Sequence, residues 1–112
     1  MNHEERRHSP RRPVSVHVEQ HVEGRSHHCY ATCLSLTGLF MQRPLGTFVR
    51  HSASTTLAIR LPDGDGEPVW ASAEVVYDCF DASFHGSALR FTAMSERDRA
   101  RLHSFLSTAH AA

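Results

Sequence analysis

The chain has 112 residues, 40% of them apolar, with three cysteines, ten histidines and a formal net charge of zero when histidine is neutral. That length suits one domain with a single modest core, and the balanced charge excludes a general nucleic-acid or membrane-surface binder, which would carry a basic excess over the whole domain. No apolar run nears membrane-spanning length and no secretory leader precedes the cysteines, so the expectation is a cytoplasmic protein with reduced thiols and no membrane insertion.

Residues 1–12 are polar, charged and broken by Pro10, which predicts a flexible arm ahead of one domain over 13–110. The arm carries Arg6, Arg7, Arg11 and Arg12, a local anion site or a solvated tail. "VSVHVEQHV" then alternates, with Val14, Val16 and Val18 on one face and Ser15, His17 and Glu19 on the other, the strongest strand signal in the chain. "EGRSHH" reads as a turn. "CYATCLSL" reads as a second strand with Tyr30, Thr32, Leu34 and Leu36 on one face, leaving Cys33 and Ser35 on an outer polar one.

"TGLFM" starts a third strand after a corner marked by Gly38, and 42–54 reads as an irregular connection. "TTLAIRL" alternates through Leu57, Ile59 and Leu61, and "PDGDGEP" is a turn. "VWASAEVVY" sets Val69, Ala71, Ala73, Val75 and Tyr77 on one side; "DCFDASFHG" reads as a loop; "SALRF" aligns Ser87, Leu89 and Phe91. The period then changes. Ser95 with Asp98 three residues on forms an N-cap, and Leu102, Phe105, Leu106 and Ala109 make one stripe of an amphipathic helix. Short antiparallel strands followed by one helix point to a mostly β protein, a small barrel closed by that helix.

Two motifs then combine. Arg7 and Arg11 stand in an RxxxR spacing with Arg6 directly before, and about one hairpin later comes "CLSLTG", holding Ser35 and Gly38. The pair resembles the PilZ domain family, whose pattern is RxxxR followed by [D/N]xSxxG. "EPVWASAEVVY" and "HGSALRFTAMSERDRARLHSFL" are similar to that family's last strands and closing helix, so the likeness runs from Glu5 to about Leu106. It implies a six-stranded antiparallel barrel with a C-terminal helix. It also implies a bacterial receptor for cyclic di-GMP that relays the level of this messenger to a partner protein.

On that resemblance the ligand-binding residues are Arg6, Arg7, Arg11, Cys33, Ser35 and Gly38. Arginine suits the task, because its planar fork binds phosphate and the guanine O6/N7 edge bidentately and stacks on bases. An arm carrying such residues could fold down over the barrel when ligand binds. Ser35 would offer a hydroxyl from the outer face, and Gly38 would permit a tight corner and close approach. Cys33 departs from the pattern, which has Asp or Asn there; a thiol is a weak acceptor. The lost contact is worth roughly 1–3 kcal/mol, or one to two decades of affinity. The rival reading is therefore a degenerate adapter that works by protein contact without the nucleotide.

Other chemistry finds less footing. Cys29 and Cys33 beside His27 and His28 suggest zinc, but residues four apart on one strand lie about 13 Å from each other, too far to share an ion or form a disulfide. No metal and no cofactor are expected. Asp78, Cys79 and His85 fall close together in sequence without an oxyanion hole or an orienting shell, and no Gly-rich phosphate loop precedes a helix, so no enzymatic activity is expected. Trp70 fits either the barrel surface or ordinary sheet packing.

Overall fold

A computed structural model describes residues 12–44, 54–62, 66–80 and 84–111. Six strands, β1 (Arg12–Val22), β2 (Arg25–Leu34), β3 (Gly38–Pro44), β4 (Thr55–Arg60), β5 (Val69–Phe80) and β6 (Phe84–Met94), precede one helix, α1 (Glu96–Ala111). Every pairing is antiparallel, and the order β1-β2-β3-β6-β5-β4 closes on itself as a barrel. Closure leaves no free sheet edge, which removes the liability of exposed strand hydrogen-bonding groups. Among the described residues, no helix is long and apolar enough to cross a membrane.

The alternation in β1 holds. Val16, Val18 and Val22 are buried while His17, Glu19 and His21 face outward. Its turn is shorter than 23–28. Glu23 and Gly24 alone make it, at φ 52° and 78°, the left-handed pair that a two-residue hairpin requires, and Arg25 to His28 already belong to the ladder.

In β2 the expected faces are reversed at first. Cys29 and Ala31 are buried and Tyr30 is exposed. A register shift between Ala31 and Cys33 inserts Thr32 as an extra residue. Such a bulge flips the alternation, so Leu34 still turns inward, and strict period-two reading fails across it. The second correction has the same cause. A shift between Val75 and Tyr77 makes Val76 the extra residue in β5, so Tyr77 does not share the face of Val69, Ala71 and Ala73 but is 51% exposed.

The stretch 78–86 is mostly strand, not loop. β5 runs on to Phe80 and β6 begins at Phe84. β3 likewise extends to Pro44, into what reads as a connection from sequence. Leu57 and Ile59 of β4 and Val69, Ala71 and Ala73 of β5 are buried as expected, and Leu89 and Ser87 of β6 point inward.

α1 begins where Ser95 caps it. The Ser95 Oγ accepts from the Asp98 N–H at 3.1 Å, satisfying one of the helix's orphan donors, and the Asp98 carboxylate accepts from the Trp70 N–H on β5. Leu102 and Leu106 are buried in the main core with Val16, Val18, Leu34 and Ile59, and Phe105 packs against it. The helix stripe is therefore core, the plug for one side of a small barrel. Trp70 is about half exposed and lies against the His21 ring.

Candidate functional site

Arg6, Arg7 and Arg11 lie outside the described residues. The second motif forms a corner between β2 and β3. β1 and β2 are antiparallel, with Arg12 opposite Leu34 and Pro13 opposite Cys33. The chain therefore enters β1 beside the corner.

The corner is tied by Ser35. This residue is only 3% exposed and lies past the end of β2, so it does not stand on an outer polar face. Its Oγ accepts from the N–H groups of Thr37 and Gly38, each at 3.2 Å, and lies 3.2 Å from the Gly38 carbonyl and from the Thr37 hydroxyl. Its backbone N–H donates to the Gly38 carbonyl at 2.9 Å. A small hydroxyl that bonds to backbone two and three residues on is what stabilises such a turn. The physical reason for the correction is that strand pairing ends at Leu34, so the period-two rule no longer applies to Ser35.

Gly38 opens β3 opposite Arg90. A Cβ there would lie 2.2 Å from the Leu89 carbonyl oxygen. The residue thus lets β6 pass close behind the corner; its φ is not in the left-handed region. Cys33 is half-buried, on the face opposite Leu34, with Pro13 and Phe40 as its strand neighbours.

Two shallow grooves flank the corner. One, of about 330 Å³, is lined by Ser35, Thr37, Gly38, Tyr77 and Arg90 among others, with the bulged Val76 in its wall. The second, of about 390 Å³, shares Thr37 and Arg90 and adds Phe91 and Arg99. Arg90 is thus the cation common to both, and it bonds Glu74 across the β5–β6 pair. Sequence reading missed Arg90 and Arg99. The alternation of Leu89 and Phe91 does put Arg90 outside the barrel, but its place beside Gly38 depends on β3 pairing with β6, some fifty residues away.

At the other end of the barrel, polar side chains point inward. Arg43, 2% exposed, donates through Nη2 to Gln20 Oε1 at 2.5 Å and through Nη1 to His85 Nδ1 at 2.9 Å and Ser87 Oγ at 3.4 Å. Ser87 donates to Asp78 Oδ1 at 2.7 Å, and His85 Nε2 lies 2.9 Å from the same oxygen. The Val76 bulge is what turns Asp78 toward this set. His85 and Ser87 are buried, so the group braces the barrel rather than meeting a substrate. Cys29, wholly buried, has its thiol pushed up by burial, partly offset by the nearby Arg43 charge and hydrogen bond. Cys29, Cys33 and Cys79 are all free.

The PilZ domain model matches residues 5–108, and the chain belongs to the PilZ domain family. Solved structures agree on the fold. The Bacillus subtilis inhibitor of motility MotI/DgrA superposes with a TM-score of 0.78 at 18% identity, covering 95% of this chain and 52% of that one. The K. pneumonia MrkH–c-di-GMP complex gives 0.74 at 13% identity, covering 94% and 52%. The PilZ domain of YcgR from Escherichia coli, solved with c-di-GMP, gives 0.66 at 13% identity and covers 95% of both chains. The chain thus spans about half the length of the first two. No curated protein matches.

Proposed function

We propose that this protein is a cyclic di-GMP receptor that relays messenger level to a partner protein through the surface around the 33–38 corner. The observation that carries the reading is the strand register: Arg12, the residue that follows the RxxxR motif in sequence, pairs opposite Leu34 at the corner. Cyclic di-GMP is a dianion with two purines, and it needs forked cations for phosphate and guanine edges. Arg7 and Arg11 supply these from the arm, and Arg90 supplies a third from the barrel. Membership of the family and the two solved relatives with c-di-GMP bound support the same ligand.

Ser35 and Gly38 act in this reading through shape. One ties the corner and the other admits β6 behind it, which leaves Thr37 and the arginines to touch the nucleotide. Cys33 favours a second reading, an adapter that has lost the messenger and keeps only its protein contacts, since a thiol is a poor acceptor for guanine N–H groups.

Calorimetric titration of cyclic di-GMP into the native protein, Arg11→Ala, Arg90→Ala and Cys33→Asp separates the two. Saturable binding that disappears in Arg11→Ala and weakens in Arg90→Ala supports the receptor. Silence from the native protein with binding gained in Cys33→Asp assigns the loss to that one residue, and silence from all four leaves the adapter.

A further inference from the structure

The outer face of the β1–β2 hairpin carries a cluster that the nucleotide reading does not use. His17, Glu19 and His21 alternate along the outside of β1, and His28 of β2 sits opposite Glu19. His17 Nε2 and His28 Nδ1 are 3.0 Å apart, with the two rings stacked. One ligand atom each from His17, Glu19 and His28 lies within 4.8 Å of the other two, the only such group among the described residues. A second feature points the same way. His21 Nε2 is buried without a hydrogen-bond partner and stands 3.7 Å from Glu19 Oε1, so one more imidazole nitrogen faces the carboxylate. Tyr30 packs edge-on against the His17 ring.

We propose that His17, Glu19 and His28 bind a first-row divalent metal ion of the zinc class on the outside of this hairpin. Two imidazoles and one carboxylate suit zinc, copper or nickel better than magnesium or calcium, which prefer all-oxygen shells. Around zinc at about 2.0–2.2 Å, tetrahedral donors lie about 3.4 Å from each other. The two imidazole nitrogens are already near that spacing. Glu19, partly exposed at the end of a flexible stem, reaches it by side-chain rotation. Water completes the shell on the open side, where His28 is exposed.

The contrary feature is Arg60, whose Nη2 lies 3.7 Å from Glu19 Oε1. That pair is long and Arg60 is about half exposed, so the guanidinium can swing away into water when a cation takes its place. The ligands come from two strands, so a bound ion cross-links β1 to β2 and stabilises the folded chain by mass action. Cys29, inside the barrel and on the opposite face from His28, cannot join them.

The test uses the full chain and the metal alone. Zinc chloride titrated by calorimetry should bind at one strong equivalent, and His17→Ala and His28→Ala should each weaken it at least about tenfold. Cys33→Ser should leave it unchanged. Cobalt(II) should give visible ligand-field absorption without the near-ultraviolet charge-transfer band of a thiolate ligand. Melting of the metal-free variants should match the native protein, because both side chains face outward, and only the native protein should melt higher with zinc. Absence of binding, equal binding by the two histidine variants and the native protein, or a thiolate charge-transfer band would each overturn the assignment.

Discussion

Replacing Gly38 with alanine separates two explanations of a glycine in the second motif. If Gly38 exists to let the nucleotide approach, a methyl group costs binding and leaves folding intact. The geometry argues otherwise, because the added Cβ would sit 2.2 Å from the Leu89 carbonyl oxygen and 3.3 Å from the Arg90 Cα, both backbone atoms of β6. The contact must lengthen by about 0.8 Å merely to reach 3.0 Å, the shortest a real Cβ shows. β6 cannot retreat freely, since β5 is bonded to its other edge from Ala71 to Phe80. Overpacking of this kind costs about 2–3 kcal/mol, or roughly 10–20 °C of melting temperature for a domain this small. Urea unfolding of Gly38→Ala beside native protein measures it. Gly24→Ala is the control, where nothing lies within 4 Å of the added carbon but φ is +78°, so only backbone strain of about 1–2 kcal/mol is expected. A loss below about 0.5 kcal/mol for Gly38→Ala, on the scale of an ordinary surface change, would refute the account and return this glycine to the ligand.

Three further outcomes follow from the same contacts. Ser35→Ala strands the N–H groups of Thr37 and Gly38 that its hydroxyl satisfies, and the expected loss is about 1–3 kcal/mol by chemical unfolding. Arg43→Leu deprives Gln20 and His85 of a buried donor and should cost about 3 kcal/mol in the same assay, with a partner left unpaired dominating the loss. Cys29 holds its proton more tightly in the folded barrel than in the unfolded chain. Its contribution to stability is therefore full below an unfolded thiol pKa of about 8.5 and is lost as pH rises from there through the higher folded value. The difference in unfolding free energy between native protein and Cys29→Ala, followed from pH 7 to 10, should shrink over that window and stay flat below it.

What sequence reading captured and what it missed divide along one physical line. Alternation is a local rule, and it places Val16 and Val18, Leu57 with Ile59, and Val69 through Ala73 correctly, although the β1–β2 register shifts between Pro13 and Val16 and the β5–β6 register between Ser72 and Ala73. It fails at Thr32 and Val76, where one inserted residue reverses every later side chain. Nothing in "YATCL" or "EVVYD" marks the insertion, since a bulge answers the curvature of a closing barrel and not a residue preference. The Ser95 cap and the Leu102 stripe were legible for the opposite reason: both are helix-local. Histidine shows the same divide. Searching along β2 for metal ligands finds His27, His28, Cys29 and Cys33, spaced too widely or on opposite faces. The partners of His28 lie across the hairpin on β1, at positions that only the register reveals.

The corner also shows how a binding motif can be built mostly from residues that do not bind. Ser35 has its hydroxyl accepting two N–H groups and donating within its own turn, and Gly38 faces the β6 backbone. Both are demanded by the shape of the β2–β3 connection before any ligand arrives. That shape presents Thr37, with Arg90 as its neighbour across β3 and β6, at the place where the chain enters β1. The Val76 bulge makes the same kind of indirect contribution, since it turns Val76 and Tyr77 out as a wall of the groove while turning Asp78 in to brace the barrel. A preorganised surface loses less entropy on binding than one that must first be ordered.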